Sequence, residues 1–224
     1  FGCIAILIFF SLHLDEPPPR VRGRGLAPVM AEMGKGFLAV ARNRKVLITS
    51  STDAAKMVAN GALMAFLPLY GLSVGLNAGQ VGLLFSVQAV TSFLSKPVMG
   101  RVSDRVGRQP LILAGLLICA ATFISMPHVG SFALLLVLSS GFGFGEAVAS
   151  SSSAALAADS SEFQRLGAGL GTQGTVMDIG HASGPLLAGL LIAHVSYQGA
   201  FAVIAGLQIL AAIAFWATMR TLSR

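Results

Sequence analysis

Six stretches of this chain, at about 46–70, 79–99, 110–128, 131–155, 166–194 and 198–219, are apolar almost from end to end. An α-helix needs about 20 such residues to cross the hydrocarbon of a bilayer, and each stretch meets or approaches that length. In lipid every backbone N–H and C=O must find its partner inside the protein, so only helices and closed barrels span. A barrel would show short segments of alternating polarity, and these stretches do not alternate. The sequence predicts an all-α integral membrane fold with six transmembrane helices. Composition agrees: 54% of the 224 residues are hydrophobic and 11% charged, against roughly 25% charged in soluble domains.

The termini of the spans carry local signals. Asn77 with Gln80 fits a capping box opening the second span. Pro110 suits the first turn of the third, and Ser131 and Ser196 suit the N-caps of the fourth and sixth. Residues 1–14 are apolar but too short to cross alone, and they lack the basic start of a signal peptide. They read as the tail of a helix that begins before Phe1.

The formal charge of +6 could suit a nucleic-acid partner, but the basic residues sit between apolar spans. That is the Lys/Arg excess of cytoplasmic loops, so no nucleic acid is expected. Of the 15 Lys and Arg, seven fall in 15–45 and four (Lys96, Arg101, Arg105, Arg108) surround the second connection. Arg165 lies in the fourth connection, and Arg220 and Arg224 at the C-terminus. The alternate connections carry none, which predicts that 15–45, 100–110, 156–165 and the C-terminus are cytoplasmic on a multi-pass plasma (inner) membrane protein. The linker 15–45 opens on Pro17–Pro19, which forbid helix. Its Met30, Met33, Phe37, Leu38 and Ala41 suit either an amphipathic helix on the inner leaflet or a solvated tether. Residues 46–224 form the bundle.

Three acids remain inside spans: Asp53, Glu146 and Asp178. A charge at the centre of a span is costly and usually faces a partner or a cavity. Asp53, Lys56 and Asn60 share one helix face and offer either a solute-lining surface or a buried structural pair. Thr175, Asp178 and His181 share another. An Asp–His pair there could carry a proton, since His titrates near neutral pH, or could serve as an interhelical hydrogen bond. Gln88, Thr91, Ser92 and Ser95 make a milder polar stripe, which suits helix packing.

Enzyme signals fail. Gly71–Gly75 matches G-x-S-x-G without the strand-to-helix turn it needs, and the glycines of 141–145 and 167–171 suit close helix packing. Cys3 and Cys119 lie in apolar stretches, so neither a disulfide framework nor a metal site is expected. No cofactor is expected either.

The second connection is the densest charge cluster: Gly100-Arg-Val-Ser-Asp104-Arg105-Val-Gly107-Arg108. Asp104 and Arg108 stand four apart and pair if the turn is helical, while Gly100 and Gly107 suit a tight turn. This stretch resembles G-x-x-x-D-R-x-G-R, the signature of the major facilitator superfamily (MFS), where it joins the second and third helices of a six-helix half. Residues 152–161 are similar to the end of that family's tenth helix. Residues 174–189, with Gly180, Gly184, Pro185 and Gly189, are similar to the eleventh helix of bacterial drug- and metabolite-efflux members.

The resemblance implies a C-terminal half that works with an N-terminal half as a secondary active transporter. It also implies small organic solutes as cargo, protons as the coupling ion, and efflux by alternating access. Uptake of a sugar or organic acid, or a membrane scaffold without transport, are the alternatives. In the family the charged loop acts as a gating latch, and its other reading here is a topology marker. The family's first and fourth helices line the cavity, which would bring Asp53, Lys56, Asn60 and Glu146 near solute. Residues 96–116 and 184–207 echo each other, as an inverted three-plus-three repeat would.

Overall fold

The computed structural model describes residues 44–159 and 166–222. The expected helix tail at 1–14, the linker up to residue 43 and residues 160–165 lie outside them. The described chain is six helices: α1 Arg44–Ser73, α2 Ala78–Val106, α3 Arg108–Ser125, α4 Phe132–Asp159, α5 Leu166–His194 and α6 Tyr197–Leu222. A short 3₁₀ turn, Met126–His128, follows α3. Each of the six is long and apolar enough to cross a membrane.

Several ends form as the sequence dictates. The Asn77 side chain accepts from the Gln80 N–H at 2.9 Å, and the Gln80 side chain accepts from the Asn77 N–H at 2.9 Å. Ser196 Oγ accepts from the Gly199 N–H at 3.1 Å and caps α6. These bonds satisfy backbone donors that a helix start leaves orphaned.

Two expected loops are shorter than the charge pattern suggests. The loop expected at 100–110 is helical through Val106, and helix resumes at Arg108. The connection expected from 156 is helical through Asp159. Charged residues do not end a helix; they only end its apolar part. Gly107 alone breaks the backbone, at φ +105°, a conformation that glycine adopts without strain. Gly100, expected to loosen the turn, sits within α2 where an added Cβ would meet nothing.

α1 packs chiefly on α5, and α4 on α2 and α3; α3 and α6 also meet, as do α1 and α6. Exchanging α1–α3 for α4–α6 turns the α1–α5 contact into α4–α2 and the α1–α6 contact into α4–α3. The packing therefore repeats with the same exchange as the sequence echo. Pro97 and Pro185 fall nine residues before the last residues of their helices, Val106 and His194. Three crossings per repeat give the second repeat the opposite direction.

The α1–α5 seam is closed by small residues. A Cβ at Gly180 would lie 2.6 Å from the Ala54 carbonyl oxygen, and Gly184 stands as close to Val58 and Ala62. Without a hydrophobic drive between helices in lipid, such backbone approach supplies the packing energy. Aromatic contacts fill one end of the core, where the Phe123 and Phe201 rings stack at 4.4 Å.

Candidate functional site

Charges cluster at three places in the bundle. The first is the turn between α2 and α3. Arg108 Nη1 lies 2.6 Å from Asp104 Oδ1, and its Nε donates to Asp159 Oδ2 at 3.0 Å. Arg108 is largely covered, while Asp104 and Asp159 are exposed. One guanidinium, with five donors in a rigid fork, thus clamps the end of α2 to the end of α4. The four-residue spacing of Asp104 and Arg108 anticipates the first contact, although the pair closes across the Gly107 break and not along one helix. The second contact joins residues 51 apart and has no local sequence signal. Arg105, from the same motif, is exposed and belongs to no ion pair among the described residues.

The second place is the α1–α4 seam. Lys56 Nζ donates to Asp53 Oδ1 at 3.0 Å, with both side chains buried. Ser153 Oγ of α4 donates to the other carboxylate oxygen, Oδ2. Ser50 on α1 and Ser152 on α4 are also buried, and neither hydroxyl has a hydrogen-bond partner among the described residues. Asn60 shares the α1 face and is half-buried. The structure brings Asp53 and Lys56 together inside the bundle and not on an open wall.

The third place lies between α2 and α4. Lys96 Nζ is 3.9 Å from Glu146 Oε1. Glu146 is in the middle of α4. Lys96 stands ten residues before the end of α2, about 15 Å along the axis at 1.5 Å per residue. The sequence reading counts Lys96, near the end of the 79–99 span, with the charges that surround the second connection. The missed signal is that helix continues to Gly107. Lys96 is the exposed partner, at 48%, and Glu146 the covered one, at 15%. Nearby on the same two helices, Thr91 and Ser140 hydroxyls hydrogen-bond at 3.1 Å, so the polar stripe of α2 packs on α4.

Asp178 and His181 do not meet. Asp178 is exposed and His181 half-buried, and no hydrogen bond or ion pair joins them among the described residues. The His181 backbone instead packs on Gly61 of α1. No group of three or more His, Cys, Asp and Glu gathers in metal-ligating geometry among the described residues.

Six apolar helices in a repeated arrangement, carrying paired charges within and at the ends of their spans, define a multi-pass helical membrane protein. The model of the Major Facilitator Superfamily matches residues 53–223, and the chain belongs to that superfamily. Multidrug resistance protein MdtG of Escherichia coli is 25% identical over 195 residues, which are 85% of this chain and 48% of that protein. Its counterpart in Salmonella arizonae is 25% identical over 224 residues, 98% of this chain and 54% of that protein. A multi-drug resistance efflux pump PmrA homolog of Lactococcus lactis is 31% identical over 155 residues, 67% of this chain and 38% of that protein. The chain spans about half the length of the MdtG relatives it matches.

Proposed function

We propose that this chain is the C-terminal half of a secondary active transporter that exports small organic solutes, drugs among them, by alternating access. Protons supply the coupling, and an N-terminal half completes the solute path. The charged loop then lies on the cytoplasmic side of the plasma (inner) membrane, as do the linker, the 156–165 connection and the C-terminus. The observation that carries this reading is the Lys96–Glu146 pair. Both residues are deep in their spans, yet Lys96 is half exposed on the six-helix bundle. A charge at that depth is stable only against water or polar protein. A water-filled path shared with a second half supplies both, and multidrug resistance proteins are the relatives found.

In this account Glu146 and Lys96 face the solute and proton path, and Asp53, Lys56 and Asn60 brace its wall. Asp178 and His181 act separately on protons. Arg108 with Asp104, Arg105 and the Gly107 turn forms the gate latch. The test uses cells expressing the full-length protein and preloaded with a lipophilic fluorescent cation. Energised efflux should exceed that of empty cells and collapse with a protonophore. Glu146→Gln should lower it about tenfold at equal membrane abundance. Full efflux by Glu146→Gln would remove Glu146 from the path, and uptake in place of efflux would reverse the direction.

A further inference from the structure

A pocket of about 280 Å3 opens where α3 begins and α6 ends, lined by Gln109, Leu113, Phe215, Trp216, Met219 and Arg220. Its floor is apolar and fixed: Phe215 and Met219 are buried in a cluster with Ile112, Leu116 and Ala212. Its rim is polar and exposed, formed by Gln109 and Arg220. The Arg220 guanidinium stacks over the Trp216 ring at 5.1 Å from its centroid, an arrangement that orients the guanidinium plane.

The outer face of α6 leads into this pocket as an apolar stripe. Val203, Leu210, Ile213 and Trp216 are each at least half exposed, and the stripe ends at Arg220. Such a surface suits acyl chains, not a soluble ligand. The pocket is smaller than the roughly 300–1,000 Å3 of drug-sized sites, so it suits a headgroup with its first carbons. Charge points the same way. Arg105 at this end of α2 is exposed and joins no ion pair among the described residues. A guanidinium has five donors in a fork that matches phosphate, more than one partner can use.

We propose that the α3–α6 pocket binds one anionic phospholipid. Arg220 and Gln109 hold the phosphodiester, Trp216 and Leu113 flank the glycerol end, and an acyl chain runs along the α6 stripe. The inference needs only that the protein sits in a bilayer, so it stands or falls independently of transport.

The experiment is native mass spectrometry of the purified full-length protein. The protein is released from bilayers of equal phosphatidylglycerol and phosphatidylethanolamine, then progressively delipidated. Wild type should keep one phosphatidylglycerol after the remaining lipid has gone. Arg220→Gln should reduce that bound fraction about tenfold. Trp216→Phe, which keeps the apolar wall and part of the stack, should reduce it about threefold. Arg101→Gln removes the same charge elsewhere and should leave it unchanged. Equal losses for Arg220→Gln and Arg101→Gln would reduce the effect to general charge and overturn the site. Equal retention of phosphatidylethanolamine, or retention untouched by Arg220→Gln, would overturn it as well.

Discussion

Two of the carboxylate–cation contacts at α4 lie in opposite surroundings. Lys56 is sealed inside the α1–α4 seam with Asp53, whose other oxygen accepts from Ser153. Arg108 sits at the helix ends, between Asp104 and Asp159, both largely exposed. Removing one partner of a buried pair strands the other, at about 3–5 kcal/mol. An exposed pair contributes only about 0.2–1 kcal/mol. The buried contact therefore behaves as a fixed joint. The exposed one can open and close within thermal reach, as the proposed latch must. The same chemistry, a cation against a carboxylate, yields rigidity at one depth and reversibility at the other.

The largest expected effect sharpens the rigid side. Lys56→Met leaves the Asp53 carboxylate buried without its lysine and should destabilise the protein by about 3–5 kcal/mol. Thermal unfolding in detergent would read this as a large fall in Tm. The double variant Asp53→Asn with Lys56→Met should recover most of the loss, since no charge is left stranded. If the single variant unfolds like wild type, the joint is not structural.

Next comes the α5 face that packs on the same α1 helix. Gly180→Val forces a side chain against the Ala54 carbonyl, and overpacking of this kind costs about 1–3 kcal/mol. Gly174→Ala, where an added Cβ meets nothing, should be close to neutral in the same unfolding assay. Comparable losses at both positions would show that the seam is looser than the glycine contacts indicate.

The smallest stability effect belongs to the proposed latch. Asp159→Asn should shift unfolding by under about 1 kcal/mol, yet should change transport rate severalfold at unchanged membrane abundance. Raising ionic strength to 1 M, where the screening length falls to about 3 Å, should mimic part of that transport effect in proteoliposomes. A variant that loses several kcal/mol and keeps its transport rate would exchange the roles of the two contacts.

The sequence makes the rigid joint easier to read than the latch. Asp53 and Lys56 are three apart in one helix, so periodicity alone puts them together. Asn77 with Gln80, and Ser196, likewise act within a few residues. Arg108–Asp159 and Lys96–Glu146 cross between helices, and no spacing encodes a contact that helix packing creates. Lys96 also falls near the end of the 79–99 span, so it reads together with the charges of the connection. Apolar character ends near 99, whereas the helix ends only where Gly107 permits the turn. Asp178 and His181 are the converse case. Their spacing is right, but glycine packing on α1 fixes the His181 backbone while Asp178 stays exposed, so a shared face did not become a pair.

The most direct test of the division between joint and latch is reversible locking of the latch. In the full-length protein, Arg108→Cys with Asp159→Cys is bridged by a short bifunctional methanethiosulfonate reagent and then released by reductant, with each single-cysteine variant as control. Solute efflux in proteoliposomes should stop on bridging and return on reduction, while the single variants stay indifferent to the reagent. Undiminished efflux by the bridged protein would contradict the account, because the start of α3 and the end of α4 would then work without ever parting.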